Sequence, residues 1–178
     1  FTADLRERLQ QEFGGCGVGY VPVTSSISGY RPTVRHTFGG WSSHSSNDSV
    51  GFDKMQQDIS GHYFYPREGA YVQLKGQHKY ASRLDTCEIS TFYFLNKGFA
   101  AVRSKVNNAA EGELHEEVGT GGMQAVSVKG RIGQVRWSVE QADSATFYGV
   151  AMDGRQGISL DNFSVRGSSG LHLRSIPL

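Results

Sequence analysis

Alternating apolar and polar residues dominate the second half of the chain. The alternation is most regular where Val135, Trp137 and Val139 are interleaved with polar residues, which is typical of a strand with one face on the core and one in solvent. Residues 88–95 are β-branched and aromatic, and they predict a strand buried on both sides. Further candidate strands are residues 70–75, 100–106 and 126–128. The pattern therefore predicts a mainly β chain.

Turn residues recur between these runs, and no helical pattern separates them. A parallel α/β sheet would need a helix between consecutive strands, so the spacing favours an antiparallel arrangement. We predict an all-β fold, an antiparallel, jelly-roll-like β-sandwich with one short N-terminal helix.

The predicted helix lies at the start of the chain. Leu5, Leu9 and Phe13 recur at four-residue spacing, so they predict an apolar stripe that faces the core. Thr2 or Asp4 can cap this helix, and two glycines end it at 14–15.

The length of 178 residues predicts a single domain with one core. Within it we expect an N-terminal helix and loop at 1–20, an irregular polar region at 21–60, the β-sandwich at 61–166 and a C-terminal tail at 167–178. The second range is assigned as irregular because it is rich in Gly and Ser.

The segment 147–170 predicts a strand, a Gly-bounded turn, a second strand and a loop of small residues. In a regular strand Ile158 and Leu160 would lie on one face, and Phe163 and Val165 on the other. Placing these apolar side chains on one face needs an extra residue between the two pairs, which indicates a β-bulge. Backbone N–H groups of the following loop could face a ligand.

Composition excludes several classes of function. The formal net charge is +1 and the basic residues are scattered, so no nucleic-acid partner is expected. No apolar run predicts insertion into a membrane.

The two cysteines, Cys16 and Cys87, lack the spacing of a zinc site, and the sequence leaves open whether they form a disulfide or stay free. We expect no metal and no cofactor.

Two segments carry a resemblance to a known family. Asp161-Asn162-Phe163 followed by Gly167-Ser168-Ser169-Gly170 is similar to the second conserved block of SGNH/GDSL hydrolases, in particular to bacterial carbohydrate or peptidoglycan O-acetyl esterases. Residues 3–14 and 17–22 are similar to the helix and loop that follow the nucleophile in that branch. The resemblance implies that a β-sandwich is inserted between the serine motif and this block.

The family's catalytic motifs are absent from the sequence: there is no Gly-Asp-Ser, no Gly-x-Asn-Asp and no C-terminal Asp-x-x-His. The resemblance implies one catalytic contribution, the backbone N–H of Gly167 in an oxyanion hole. The chain, which starts at Phe1, is interpreted as a non-catalytic segment of a longer esterase, exported to the periplasm or cell surface of a bacterium. Its implied partners are the catalytic half of the same protein and a polysaccharide or peptidoglycan.

Aromatic residues in polar surroundings indicate a carbohydrate site, because a sugar ring presents an apolar face with polar edges. Trp41 is the leading candidate, and the alternative is that it folds back to close one end of the sandwich. Tyr63 and Tyr65 share one face of an extended segment and form a second aromatic platform. The candidate polar partners of Trp41 are Tyr30, Arg35, His44 and Asn47.

Two hypotheses of different classes follow. In the first, the chain is a non-catalytic, carbohydrate-binding sandwich of an esterase that acts on acetylated polysaccharide or peptidoglycan. In the second, it is a structural spacer that completes a hydrolase fold and binds no ligand.

Overall fold

The computed structural model of the chain describes residues 1–48, 50–78, 83–163, 173–174 and 176. One helix and seven strands are present in these ranges, together with a 3-10 turn at Ser28–Tyr30. In chain order they are α1 (Thr2–Phe13), β1 (Gly19–Pro22), β2 (Val34–Ser45), β3 (His62–Gly76), β4 (Cys87–Val106), β5 (Glu113–Val118), β6 (Met123–Ile132) and β7 (Gln134–Asp153).

All strand pairs are antiparallel and belong to one continuous sheet. Its main path runs β2-β3-β7-β4-β5, while β1 pairs with β7 and β6 pairs with β4. The two longest strands, β4 and β7, pair along almost their whole length and form the centre of the sheet. The prediction of a mainly antiparallel β fold with one short helix is confirmed.

A contact between Phe92 and Trp137 shows that the sheet folds back on itself. Phe92 pairs with Val150, which lies thirteen positions after Trp137 on β7. Along a flat strand this separation corresponds to about 40 Å. The two rings nevertheless lie 5.6 Å apart, and the Trp137 indole N–H donates to Ser90 Oγ at 3.2 Å. The two halves of the sheet therefore face each other as a sandwich.

Irregularities in the β4–β7 pairing accompany this bend. The register shifts between Tyr93 and Phe94, between Asn96 and Phe99, and between Ala101 and Val102. Such bulges bend and twist a sheet locally. The fully buried Asn96 satisfies the backbone there: its Nδ2 donates to Glu117 O at 3.0 Å, and its Oδ1 accepts from Gly98 N at 3.1 Å. The sequence predicted two strands at this place, whereas β4 continues through it.

The core lies between the two halves of the sandwich. Trp137 is its largest fully buried side chain, which confirms the interpretation of its alternating strand. Four aromatic residues in the centre are 0% exposed: Phe64, Phe92, Phe94 and Phe147. Aliphatic side chains from β1, β3, β6 and β7 complete the same cluster.

The region 21–60 contains β2, so the expectation that it is irregular throughout is wrong. Among the described residues β2 pairs only with β3, which makes it an edge strand. The sequence of β2 is richer in Ser and Gly than those of the central strands, so its strand pattern is weaker.

The buried face of α1 also differs from the prediction. Leu5 is 37% and Phe13 61% exposed, whereas Arg6 and Gln10 are buried. Arg6 Nε donates to Leu160 O at 2.7 Å, and Gln10 Nε2 donates to Ile158 O at 3.3 Å. The helix therefore docks through hydrogen bonds to a neighbouring backbone segment, and the apolar stripe is not its main contact.

The second strand predicted within 147–170 is absent from the described residues, because β7 ends at Asp153 and residues 154–163 are irregular. These residues form hydrogen bonds with the N-terminal segment instead. Ile158 N donates to Gly14 O at 3.0 Å, and the Asp161 carboxylate accepts from Tyr20 N at 2.7 Å. Val165 and the predicted oxyanion residue Gly167 lie outside the described residues.

Both cysteines are free thiols. Cys87 is buried and Cys16 is partly exposed, and the two line the same shallow cleft. Burial raises the pKa of the Cys87 thiol to about 12, so this group is protonated and a poor nucleophile at neutral pH.

Candidate functional site

A cleft of about 630 Å³ opens beside β2 and is the candidate site. One wall is formed by β2 and the other by the segment that follows β1. Its lining combines aromatic rings, hydroxyl groups and charged side chains. The residues used in the argument below are Arg31, Phe38, Trp41, Ser43, Asn47 and His62.

A bulge in β2 places two aromatic residues in this cleft. The register with β3 shifts between Gly39 and Trp41, and Gly40 adopts a positive φ of 74°. Without the bulge, Phe38 and Trp41 would point to opposite faces, because side chains alternate along a strand. With the bulge, both line the cleft. The pair Gly39-Gly40 is the sequence signal that could have identified this arrangement.

We expect Gly40→Ala to lower the free energy of unfolding by about 1–3 kcal/mol, because a non-Gly residue is strained at positive φ. A Cβ at position 40 would also lie 2.7 Å from the Ala70 Cα. Urea denaturation of the two proteins measures the difference. Gly29→Ala is the matched control, since a Cβ there meets no atom of the described residues within 4 Å. Equal stability of the Gly40 and Gly29 variants would contradict the bulge.

Trp41 is held firmly at the wall of the cleft. Its indole N–H donates to Tyr71 O at 2.8 Å, and its ring centroid lies 5.5 Å from that of Phe147. The side chain is half-buried and packs against the core while it also lines the cleft. The structure thus combines features of both alternatives, because Trp41 is part of the sandwich wall and borders an open space. Its role in ligand binding stays a prediction.

Polar groups surround the aromatic wall. Thr24 Oγ1 and Ser43 Oγ lie 3.1 Å apart across the cleft. His62 is positioned by a turn in which its Nδ1 donates to Ser60 O at 2.7 Å. The Asp58 carboxylate fixes the same turn: it accepts the Ser60 hydroxyl at 2.5 Å and also the Tyr20 hydroxyl. Asp58, Ser60 and His62 therefore hold a turn, and the Ser60 hydroxyl donates to a carboxylate, not to an imidazole.

His44, Tyr63 and Tyr65 lie together on the opposite face of β2 and β3. The rings of His44 and Tyr63 stack at 4.7 Å, and those of Tyr63 and Tyr65 lie 5.6 Å apart. Tyr63 is 2% exposed and its hydroxyl accepts from Asp53 N, whereas the Tyr65 hydroxyl donates to Gln56 Oε1 at 2.7 Å. In the structure these tyrosines secure the connection between β2 and β3.

The remaining predicted partners are dispersed. Asn47 lines the cleft with Trp41, whereas Tyr30 is 86% exposed and lines a smaller adjacent cleft of about 290 Å³. Arg35 is exposed and lines neither cleft. Sequence reasoning missed Arg31, Phe38 and His62.

The electrostatics of the cleft affect His36, which lies on β2 beside Phe38 with ring centroids 4.8 Å apart. Burial, together with the nearby charge of Arg31, lowers the pKa of His36 to about 4. Its Nε2 contacts Val23 O at 3.2 Å, and its buried Nδ1 has no hydrogen-bond partner in the described part of the chain. The imidazole is therefore neutral in the folded protein at pH 7.

The lowered pKa of His36 predicts that the folded protein becomes less stable as the pH falls. Because the folded-state pKa is below the unfolded value of 6.5, the unfolded chain binds a proton first as pH falls. The neutral His36 side chain therefore makes its full contribution to the free energy of unfolding above pH 6.5. About 3 kcal/mol of that free energy is lost as the pH falls towards 4. We expect His36→Gln, which keeps a donor for Val23 O, to remove this part of the pH dependence in denaturation curves. Parallel curves for both proteins from pH 7 to 4 would contradict the assignment.

Within the described ranges no three His, Cys, Asp or Glu side chains converge as metal ligands. In the same part of the chain no helix combines the length and apolarity required to span a bilayer.

Comparison with known proteins gives matches to solved structures. No family model matches the chain, and no curated protein matches it. One similar structure is a point mutant of a family 29 carbohydrate-binding module, with 11% identity, a TM-score of 0.41 and coverage of 78% of this chain and 92% of that one. Another is the Podospora anserina GH26-CBM35 β-(1,4)-mannanase, with 11% identity, a TM-score of 0.44 and coverage of 82% and 29%.

These comparisons correct the resemblance stated above. The similar structures are carbohydrate-binding modules, and no hydrolase family model matches, so the assignment to SGNH/GDSL hydrolases is wrong. At these identities and TM-scores the likeness carries no argument about the family, the role or the ligand of this chain. The chain is an antiparallel β-sandwich with one short helix.

Proposed function

We propose that the chain is a non-catalytic carbohydrate-binding module and that the cleft beside Trp41 is its glycan site. The observation that carries the proposal is the bulged wall of β2, which brings Phe38 and Trp41 into one open cleft. Aromatic faces pack against the C–H face of a sugar ring, which is why such rings are common in glycan sites.

Polar groups in the same cleft match the other requirement of a sugar, which is hydrogen bonding at the ring edges. Ser43, Asn47 and His62 contribute a hydroxyl, a carboxamide and an imidazole to the lining. The volume of about 630 Å³ lies within the usual range of small-molecule sites. The cleft therefore has the size and the mixture of groups that a short stretch of glycan needs.

The wall is also rigid enough to select a ligand. Trp41 is fixed by its hydrogen bond to Tyr71 O and by its contact with Phe147, so its ring loses little freedom on binding. A site on strands of the sandwich is more precise than one on a mobile loop. The proposed partner is a polysaccharide, including peptidoglycan, and the proposed location is outside the cell.

Affinity electrophoresis in gels that contain soluble polysaccharides tests this proposal. We expect at least one polysaccharide to slow the migration of the protein relative to a gel without polysaccharide. The retardation should increase with the concentration of that polysaccharide. Normal mobility throughout a panel of plant, fungal and bacterial cell-wall polysaccharides would contradict the proposal and leave a structural module.

A further inference from the structure

We infer that the glycan taken by the cleft beside Trp41 carries an anionic group, a carboxylate or a sulfate, that pairs with the guanidinium of Arg31. This inference rests on the proposed function and adds the chemical class of the ligand.

Arg31 lies where the two clefts meet. It follows the 3-10 turn and closes that turn with a hydrogen bond from its backbone N–H to Ser28 O at 3.3 Å. Its side chain lines both the cleft of Trp41 and the smaller cleft of Tyr30. A ligand lying along the wall of β2 therefore passes within reach of this arginine.

The charge of Arg31 is not balanced by the described part of the chain. The ion pairs found there are Phe1–Asp4, His78–Asp85 and Arg103–Glu140, and none includes Arg31. Its Nε is buried and has no hydrogen-bond partner among the described residues, although the residue as a whole is half-buried. Partial burial of an unpaired charge costs free energy, and an anionic ligand would recover it.

Arg6 provides a contrast within the same smaller cleft. It is 6% exposed, but its Nε donates to Leu160 O, and nearby Asp161 supplies a balancing negative charge. Burial lowers the pKa of Arg31 as well, yet no acidic neighbour in the described part of the chain offsets that effect. Of these two arginines, Arg6 is satisfied within the protein and Arg31 is left for a ligand.

The charges around the site favour an anion. The charge of Arg31 reaches its neighbours: in addition to burial it lowers the pKa of His36, and at Arg6 it opposes the raising effect of Asp161. One carboxylate, Asp48, also lines the larger cleft, where it accepts the backbone N–H of Ser45 at 2.7 Å. The described residues that line the smaller cleft include no acidic side chain. A planar guanidinium in this setting binds carboxylate or sulfate more strongly than it binds a neutral hydroxyl.

The test compares three polymers by calorimetry at 0.15 M salt: polygalacturonate, dextran sulfate and neutral glucomannan. We expect the wild-type protein to bind an acidic polymer, and the preferred one identifies carboxylate or sulfate. Arg31→Gln should weaken that binding by at least about 10-fold, because it removes a charge-assisted pair. Arg31→Lys keeps the positive charge but lacks the planar set of N–H donors of the guanidinium, so it should give an intermediate loss of affinity.

Arg131→Gln is the matched control, since it removes the same charge from an exposed position outside both clefts. Equal losses for Arg31→Gln and Arg131→Gln would indicate general charge attraction and overturn the inference. Binding of glucomannan alone, unaffected by Arg31→Gln, would also overturn it but would leave the proposed function intact. If no polymer binds in the calorimeter or in the electrophoresis panel, the proposed function fails, and the inference fails with it.

Discussion

Trp41→Ala is expected to weaken glycan binding by about 30-fold or more, which corresponds to about 2 kcal/mol for an aromatic residue that dominates a site. The substitution removes the flat surface on which the sugar ring would stack. It also removes the donor to Tyr71 O and the contact with Phe147, so the free energy of unfolding should fall by about 2 kcal/mol.

Because both effects are expected in Trp41→Ala, a second variant is needed to separate them. Trp41→Phe keeps an aromatic face but loses the indole N–H. It should retain most of the affinity measured by calorimetry, while its melting temperature falls because Tyr71 O loses its donor. A Trp41→Ala protein that is destabilised but binds glycan like the wild type would show that Trp41 only closes the sandwich.

Trp137→Ala is expected to have the largest effect on stability, about 3–5 kcal/mol, which is the usual cost of removing a large aromatic side chain from a core. Trp137 is 0% exposed and contacts Phe92 across the sandwich. Its removal would also leave the Ser90 hydroxyl without its indole partner. Since a domain of this size is stable by only about 5–15 kcal/mol, much of the protein should unfold at moderate urea concentrations.

Trp137→Phe is the control for this variant. It fills part of the space and loses the hydrogen bond to Ser90, so we expect a cost of about 1–2 kcal/mol in urea denaturation. A cost below about 1 kcal/mol for Trp137→Ala would mean that Trp137 does not join the two halves of the sheet.

The strands of the core could be predicted because burial on one face produces alternation in the sequence. Val135, Trp137 and Val139 show this directly, and their strand is β7. The helix face could not be predicted in the same way. Leu5 and Phe13 have the spacing of a core stripe, but α1 docks through Arg6 and Gln10 on backbone groups, and no local pattern encodes those partners.

The site was only partly predictable. Trp41 attracted attention because its surroundings are polar, yet the Gly and Ser residues around it suggested a loop and not a bulged edge strand. Phe38 was missed because this segment was assigned as irregular, and the bulge at Gly40 breaks the alternation that would have indicated a strand. Arg31 has no local signal at all, since the role proposed for it depends on its surroundings in three dimensions, where the described part of the chain places no acidic partner beside it.

The resemblance to hydrolases rested on short stretches of Gly, Ser, Asp and Asn. These residues recur in turns of many folds because they tolerate unusual backbone conformations and bond to the backbone locally. Residues 154–163 illustrate this, since they form an irregular segment that is hydrogen-bonded to side chains of α1 and to the backbone of β1. Such motifs describe local geometry and identify a family only when the catalytic residues accompany them.

Tryptophan fluorescence during titration with a soluble oligosaccharide tests the central claim most directly, because the chain has two tryptophans and only Trp41 borders the cleft. The account predicts a saturable change in emission for the wild type, which is lost in Trp41→Phe even though calorimetry still detects binding. Calorimetric binding to the wild type with unchanged emission would place the ligand elsewhere on the protein and contradict the assignment of this cleft.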